Sequence, residues 1–243
     1  MSIELPPYLG HRGAAASAPE NTLAGLEKAA ELGAPGVEFD VMLSADGVPV
    51  LHHDNTLSRT AGREAAMAET PWAELRRLDA GAWYSEAFAG QRVPRLTEAI
   101  AVVDARRLFT NLEIKATPGR DVEAARVVVA TLARAWPKDL PLLVSSFSVL
   151  SLAACAALDP DLHLGLLADE LPENWRTVAA ALGCATIHLN EIGLTAETVS
   201  VVRQAGYGVA VFTVNDPDRA RELRSWGAQC IITDVPEKIA AAI

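Results

Sequence analysis

Short runs of β-branched and apolar residues alternate along the chain with longer stretches whose apolar positions recur at helical spacing. The runs predict strands over residues 8–10, 37–43, 108–114, 142–144, 163–167, 186–189, 208–213 and 230–233. Helical spacing covers 23–32, 96–105, 122–136, 152–158, 175–182, 196–205 and 218–226. Eight strands alternating with helices predict a parallel (β/α)8 TIM barrel. A doubly wound open sheet has the same alternation, and periodicity leaves it open. Residues 55–94 break the rhythm with Trp72, Trp83, Tyr84, Phe88, several charges and three glycines. They are read as a small insertion after the second strand, whose aromatics form either a satellite core or contacts to a ligand. With no internal repeat, low-complexity linker or second domain, residues 1–243 read as one domain.

Composition supports that size and narrows the partners. A chain of 243 residues suits a single α/β barrel. Its content of 50% hydrophobic and 21% charged residues predicts a folded protein. The net charge of −10 argues against a nucleic-acid surface and against docking on anionic lipid. Cys155, Cys184 and Cys230 have no metal-ligand spacing and read as small buried hydrophobes in a reducing compartment. The segment from Met1 to Pro7 lacks the basic start and apolar core of a signal peptide. Residues 140–158 are uncharged and long enough to suggest a membrane span, but they contain Pro141 and four serines and divide into a strand and a helix. The expected setting is cytoplasmic, without membrane insertion. The oligomeric state is not legible in the sequence.

The candidate chemistry lies at the predicted strand ends. In a strand, residues i and i+2 face the same way. Glu38 and Asp40 therefore point into the barrel near its C-terminal end, and Val37, Phe39 and Val41 point to the helices. Two inward carboxylates repel unless neutralised; a divalent cation does this, and a structural ion pair is the alternative. Glu113 and Lys115 share a face in the same way, offering a third carboxylate and a point charge for phosphate, or else a surface pair. His11 closes the first strand, and alternation turns one of His52 and His53 inward. Histidines there can move protons near neutral pH. Arg12 suits a forked contact to phosphate. Glu20 and Asn21 read as the entry to a helix, where Asn21 or Thr22 caps free N–H groups. His163 and His188 read as structural.

The wording His11-Arg12-Gly13, Pro19-Glu20-Asn21-Thr22, Glu38-Phe39-Asp40, His53-Asp54 and Asn111-Leu112-Glu113-Ile114-Lys115 resembles the glycerophosphodiester phosphodiesterase family, and closely its short bacterial enzymes. Ser145-Ser146-Phe147, Phe212-Thr213-Val214-Asn215 and Thr233-Asp234-Val235-Pro236 extend the resemblance over nearly the whole chain. It implies metal-dependent hydrolysis of glycerophosphodiesters to sn-glycerol 3-phosphate and an alcohol. It implies catalytic His11 and His53, since the family's histidine directly precedes an aspartate. Arg12 and Lys115 would bind phosphate, and Glu38, Asp40 and Glu113 would hold Mg²⁺ or Ca²⁺. Phe212, where many relatives carry Trp, would wall the glycerol, and the insertion would cover the barrel mouth. The expected route passes through a cyclic phosphate, with His11 as first base and His53 as first acid. Asn215 and Asp234 are expected to tie loops at the rim. A phosphate-binding barrel without activity and a phospholipase acting on intact lipid are the rival classes. The first would lack part of this residue set, and the second needs an apolar or basic membrane-facing surface.

Overall fold

The computed structural model describes residues 3–243; Met1 and Ser2, part of the segment read for a signal peptide, lie outside the described residues. Eight parallel strands close into a barrel: β1 (Tyr8–Gly10), β2 (Gly36–Leu43), then β4 (Phe109–Ile114), β5 (Leu142–Ser146), β6 (Leu164–Ala168), β7 (Thr186–Asn190), β8 (Gly208–Phe212) and β9 (Cys230–Thr233). Closure comes from β1, which pairs with β9 on one side and with β2 at Gly10–Val37 on the other. A closed barrel excludes the open sheet. The extra strand β3 (Pro49–Leu51) runs antiparallel to β2. It was not predicted, because three residues opening on proline are too few to carry a period.

Helices α1 (Leu23–Glu31), α4 (Leu96–Arg106), α5 (Asp121–Ala135), α6 (Val149–Leu158), α7 (Trp175–Leu182), α8 (Ala196–Gln204) and α9 (Pro217–Ser225) cover the barrel, with the short α2 (Ser58–Ala61) and α3 (Trp72–Leu75) in the insertion and α10 (Pro236–Ala240) at the end. Predicted ends differ from these mostly by a residue or two, as capping rather than period decides them. The α6 helix starts at Val149, three residues before the periodic stretch, where dividing residues 140–158 into a strand over 142–146 and a helix over 149–157 places it; the Ser148 hydroxyl accepts the Ser151 N–H and caps it. Residues 140–158 do divide into β5 and α6, and among the described residues no helix is long and apolar enough to cross a membrane.

Strand alternation divides the core. Val37, Phe39, Val41, Leu112 and Ile114 face outward and pack with the helices. Inside, Leu9, Phe109, Leu143, Ala210, Cys230 and Ile232 fill the N-terminal half of the barrel, with Ile3 and Leu5 packed against them. All three cysteines are free and buried. The upper half of the barrel is polar: Glu38, Asp40, Asn111, Glu113, Ser145 and His188 are all buried there.

The insertion builds its own core from Met42, Val50, Leu57, Ala61, Met67, Leu75, Ala80 and Val93, with Trp72 packed against it. Trp83, Tyr84 and Phe88 meet edge to face, and the Tyr84 hydroxyl donates to the Ala16 carbonyl at 2.6 Å. Its aromatics are thus spent on packing and on docking to the β1–α1 loop.

Candidate active site

The tight turn after β1 places the first group. Gly13 adopts φ +95°, and a Cβ there would lie 2.4 Å from the Gly25 backbone, so only glycine fits. Arg12 is itself left-handed at φ 51°. This turn brings the Arg12 backbone N–H to Glu38 Oε2 at 3.0 Å. It also sends the Arg12 side chain to Glu20 at 2.7 Å and Asp40 at 3.3 Å.

Glu38 and Asp40 lie two residues apart on β2, and Glu113 on β4 stands level with Asp40. Their exposures are 3%, 2% and 9%, and one oxygen from each lies within 4.8 Å of the others. Asn21 fixes Asp40 from both sides: its amide donates to Asp40 Oδ2 at 2.8 Å, and its carbonyl accepts the Asp40 backbone N–H at 3.1 Å. The helix cap is Thr22, whose hydroxyl accepts the Gly25 N–H. Burial, then repulsion from Asp40 and Glu113, pushes the Glu38 carboxyl well above its ordinary value. Burial and Asp40 push Glu113 up as well. Oε1 of Glu38 is buried without a hydrogen-bond partner. A cage of hard oxygens short of positive charge fits a divalent cation.

Each of two histidines is seated on a carboxylate through Nδ1. His11 Nδ1 lies 2.7 Å from Asp234 Oδ1, and Asn215 donates to the other Asp234 oxygen at 2.7 Å. His53, just past β3, has Nδ1 2.7 Å from Asp54 Oδ1. Its Nε2 lies 3.1 Å from Lys115 Nζ, and Lys115 in turn is 3.5 Å from Glu113. Burial, reinforced by the charges of Arg12 and Lys115, holds His53 below the ordinary imidazole value. The Lys115 ammonium then donates to Nε2, and Nδ1 carries the proton toward Asp54. His52 is buried, with Nε2 on the Thr56 carbonyl at 3.0 Å, so His53 and not His52 faces the site. His188 lies inside the barrel on Thr186, and burial pushes it down to about 4.

These groups share one cavity of about 1000 Å³ at the C-terminal ends of the strands. His11, Arg12, Asp40, His53, Glu113 and Lys115 line one side. Phe147 and Phe212, edge to face at 5.9 Å, line the cavity too, with Asn190 and Asp169, and Lys115 Nζ lies 5.8 Å over the Phe147 ring. Of residues 55–94 only Asn55 reaches the cavity, so the insertion does not cover its mouth as expected. All the expected site residues except Glu38 line this cavity, and Glu38 lies directly beneath it.

Sequence reasoning assigned no site function to Arg59 and gave Asp234 only a loop-tying role; Glu20 and Asn21 read as a helix entry, and the resemblance also places them close to the site as polar support, where they lie. Asp54 had a signal in its place directly after His53. Arg59 had none: it stands in a polar stretch, yet it contacts Asp54 and Glu20.

Fold and site together define a (β/α)8 enzyme with a carboxylate cage for a divalent cation beside two carboxylate-seated histidines. The model of the glycerophosphoryl diester phosphodiesterase family matches residues 11–238. A glycerophosphodiester phosphodiesterase of Caldanaerobacter subterraneus is 31% identical over 236 residues, covering 95% of both chains. A phosphodiesterase of Oleispira antarctica, solved with the product sn-glycerol-3-phosphate, superposes with a TM-score of 0.96 at 40% identity, covering 98% of this chain and 96% of that one. A glycerophosphodiester phosphodiesterase of Thermotoga maritima gives 0.78 at 29% identity, over 98% and 99%. The chain belongs to the glycerophosphoryl diester phosphodiesterase family and is a hydrolase of that family.

Proposed function

We propose that this protein hydrolyses glycerophosphodiesters to sn-glycerol 3-phosphate and an alcohol through a cyclic phosphate, with His11 and His53 as the proton carriers. The observation that carries the reading is the pairing of two histidines, each with Nδ1 on a carboxylate, in one cavity with two of three clustered buried carboxylates. A divalent cation held by Glu38, Asp40 and Glu113, either Mg²⁺ or Ca²⁺, supplies positive charge beside the phosphate. Arg12 and Lys115 bind the phosphate oxygens, and the Phe212 ring walls the glycerol.

His11, seated by Asp234, takes the proton from the glycerol 2-hydroxyl as that oxygen attacks phosphorus. The bond from phosphorus to the alcohol breaks, and His53 gives the leaving oxygen its proton. The depressed value of His53 makes its protonated form the stronger acid, which suits the donor. When substrate binds, the phosphate draws the Lys115 ammonium away from Nε2, and that nitrogen takes up a proton from solvent before the first step, which is the proton His53 then gives. Water then opens the cyclic phosphate with the two roles reversed. One barrel domain with its insertion at 55–94 carries the whole reaction. A cytoplasmic setting belongs to this reading, supported by three unpaired cysteines that fit a reducing compartment.

The test is release of glycerol 3-phosphate from glycerophosphoethanolamine and glycerophosphocholine after chelation, then with Mg²⁺ or Ca²⁺ restored. Release that stops on chelation and returns with either ion is expected. Release indifferent to chelation would overturn the role of the cage, and no release under any condition would overturn the substrate class.

A further inference from the structure

Arg59 stands outside the cavity, yet one guanidinium makes four short contacts to two carboxylates of the site. Nε and NH2 reach Asp54 Oδ2 and Oδ1 at 2.7 and 3.0 Å. NH1 and NH2 reach Glu20 Oε2 and Oε1 at 2.6 and 2.8 Å. The carboxylates are separated along the chain, and each holds a further group. Asp54 Oδ1 seats His53 Nδ1, and Glu20 Oε1 accepts from Arg12. Double forks of this kind fix a carboxylate in plane and direction, which a single ammonium does not do.

The support under Arg59 is rigid. It projects from a four-residue helical turn whose ends are pinned by the buried Leu57 and Ala61, in the separate core of the insertion. The Trp83 ring lies 6.0 Å from its guanidinium. The turn is therefore a fixed post, and Asp54 is held between that post and the histidine.

We propose that Arg59 is a positioning residue of this enzyme: it locks Asp54 and so aims His53 Nε2 at the leaving-group oxygen. Arg59 then serves the reaction from the insertion without itself lining the cavity. This rests on the reading of His53 as the first-step acid. Loss of Arg59 loosens Glu20 but leaves Arg12 its contact to Asp40 at 3.3 Å, whereas Asp54 loses its fork and has no comparable second anchor, so phosphate binding is retained while the aim of the acid is lost.

The experiment compares wild type, Arg59→Ala, Arg59→Lys, His53→Ala and the Arg59→Ala/His53→Ala double variant on two substrates in the same metal-loaded buffer. Glycerophosphoethanolamine has an alkoxide leaving group that needs a proton. The p-nitrophenyl ester of glycerol 3-phosphate has a leaving group that departs without one. In Arg59→Ala, the single-turnover rate of leaving-group release, read before water opens the cyclic phosphate, is expected to fall about 10- to 100-fold on the first substrate, with that rate on the second and both KM values within about 3-fold. In the His53→Ala background the same substitution is expected to cost nothing further, as for groups that act as a unit. Arg59→Lys keeps the charge but loses the double fork, and should show the same selectivity at a smaller fold. Its long exposed side chain leaves it readable if the alanine variant unfolds. Equal loss on both substrates, no loss on either, or a loss that survives in the His53→Ala background would each overturn the role of Arg59. If His53→Ala itself slows both substrates alike, the acid assignment of His53 fails first, and that outcome is read from the single variant alone.

Discussion

Glu38→Gln should make the metal-free protein more stable while removing its response to divalent cations. The carboxylate is 3% exposed, and its cage partners offer oxygens within 4.8 Å. At an effective dielectric of about 20, two unit charges at that separation repel by about 3 kcal/mol. Glu38 faces two such charges, Asp40 and Glu113. Arg12 and partial proton uptake by the cage offset part of this, leaving about 1–3 kcal/mol for the substitution to recover. Glutamine preserves the shape: its carbonyl keeps the hydrogen bond from the Arg12 N–H, and its amide turns toward the two remaining carboxylates. For a chain of this size each kcal/mol is worth about 2–4 °C in Tm, so the chelated variant should melt about 2–12 °C above chelated wild type. A cation at about a hundred times its Kd should raise wild type by about 2.7 kcal/mol and leave the variant nearly unmoved. The sign with pH follows from the raised carboxyls. A group whose folded value lies above its unfolded value of 4.5 stabilises the fold below that value, and this is lost as pH rises through the folded one. The advantage of the variant should therefore grow as pH rises above 4.5 and the cage carboxyls ionise. Thermal melts with chelator and with Mg²⁺ or Ca²⁺ at three pH values decide this. A variant less stable than chelated wild type, or one that keeps the full metal response, would refute the cage as the site of uncompensated charge.

Substituting either His11 or His53 by alanine should lower kcat about 10²- to 10⁴-fold on natural substrates with substrate binding little changed. An analogue without the 2-hydroxyl should not be turned over, and near-normal turnover of that analogue would point instead to direct attack by water. Asp234→Asn, which keeps the shape but disturbs the seating of His11, should cost about 10-fold or more in kcat with KM steady, measured by initial rates. Glu20 is pushed up by burial, but hydrogen bonds and charge from Arg59 and Arg12 outweigh this and bring it down to about 2. A depressed carboxyl gives its full stabilisation above 4.5 and loses it as pH falls toward 2, so this group is worth about 1–3 kcal/mol at neutral pH. Denaturant melts of wild type and Arg59→Ala should converge as pH is lowered from about 5 to about 3, and a constant gap would sink the assignment.

The barrel was legible because its signals are local. Strands buried on both faces leave apolar runs, helices leave a 3.6-residue period, and Glu38 and Asp40 appear on the inner face through alternation alone. The same rule carried Glu113 and Lys115, whose intervening Ile114 lies in the outer core. The strand β3 was not legible, since three residues hold no period. The start of α6 at Val149 was legible from the division of residues 140–158 and not from the apolar period, which begins at 152, because a Ser148 cap rather than an apolar position decides it.

The charged support of the site is the harder case, and its physics explains why. Arg59 meets Glu20 across 39 positions, and His11 meets Asp234 across 223. Such contacts impose no period and need no apolar neighbour; only closure of the barrel and docking of the insertion bring the partners together. The same holds for Asn21, which looks like a helix cap until β2 is laid beside it and its amide is found holding Asp40. The sequence carries the groups that could meet substrate because strand ends are predictable places. The groups that aim them are chosen by tertiary geometry, and a polar residue with no local explanation, such as Arg59, is where that geometry surfaces. The insertion illustrates the point: its aromatics pack as the satellite core that their sequence allows, whereas the arginine that reaches two carboxylates of the site stands in a stretch with no local signal.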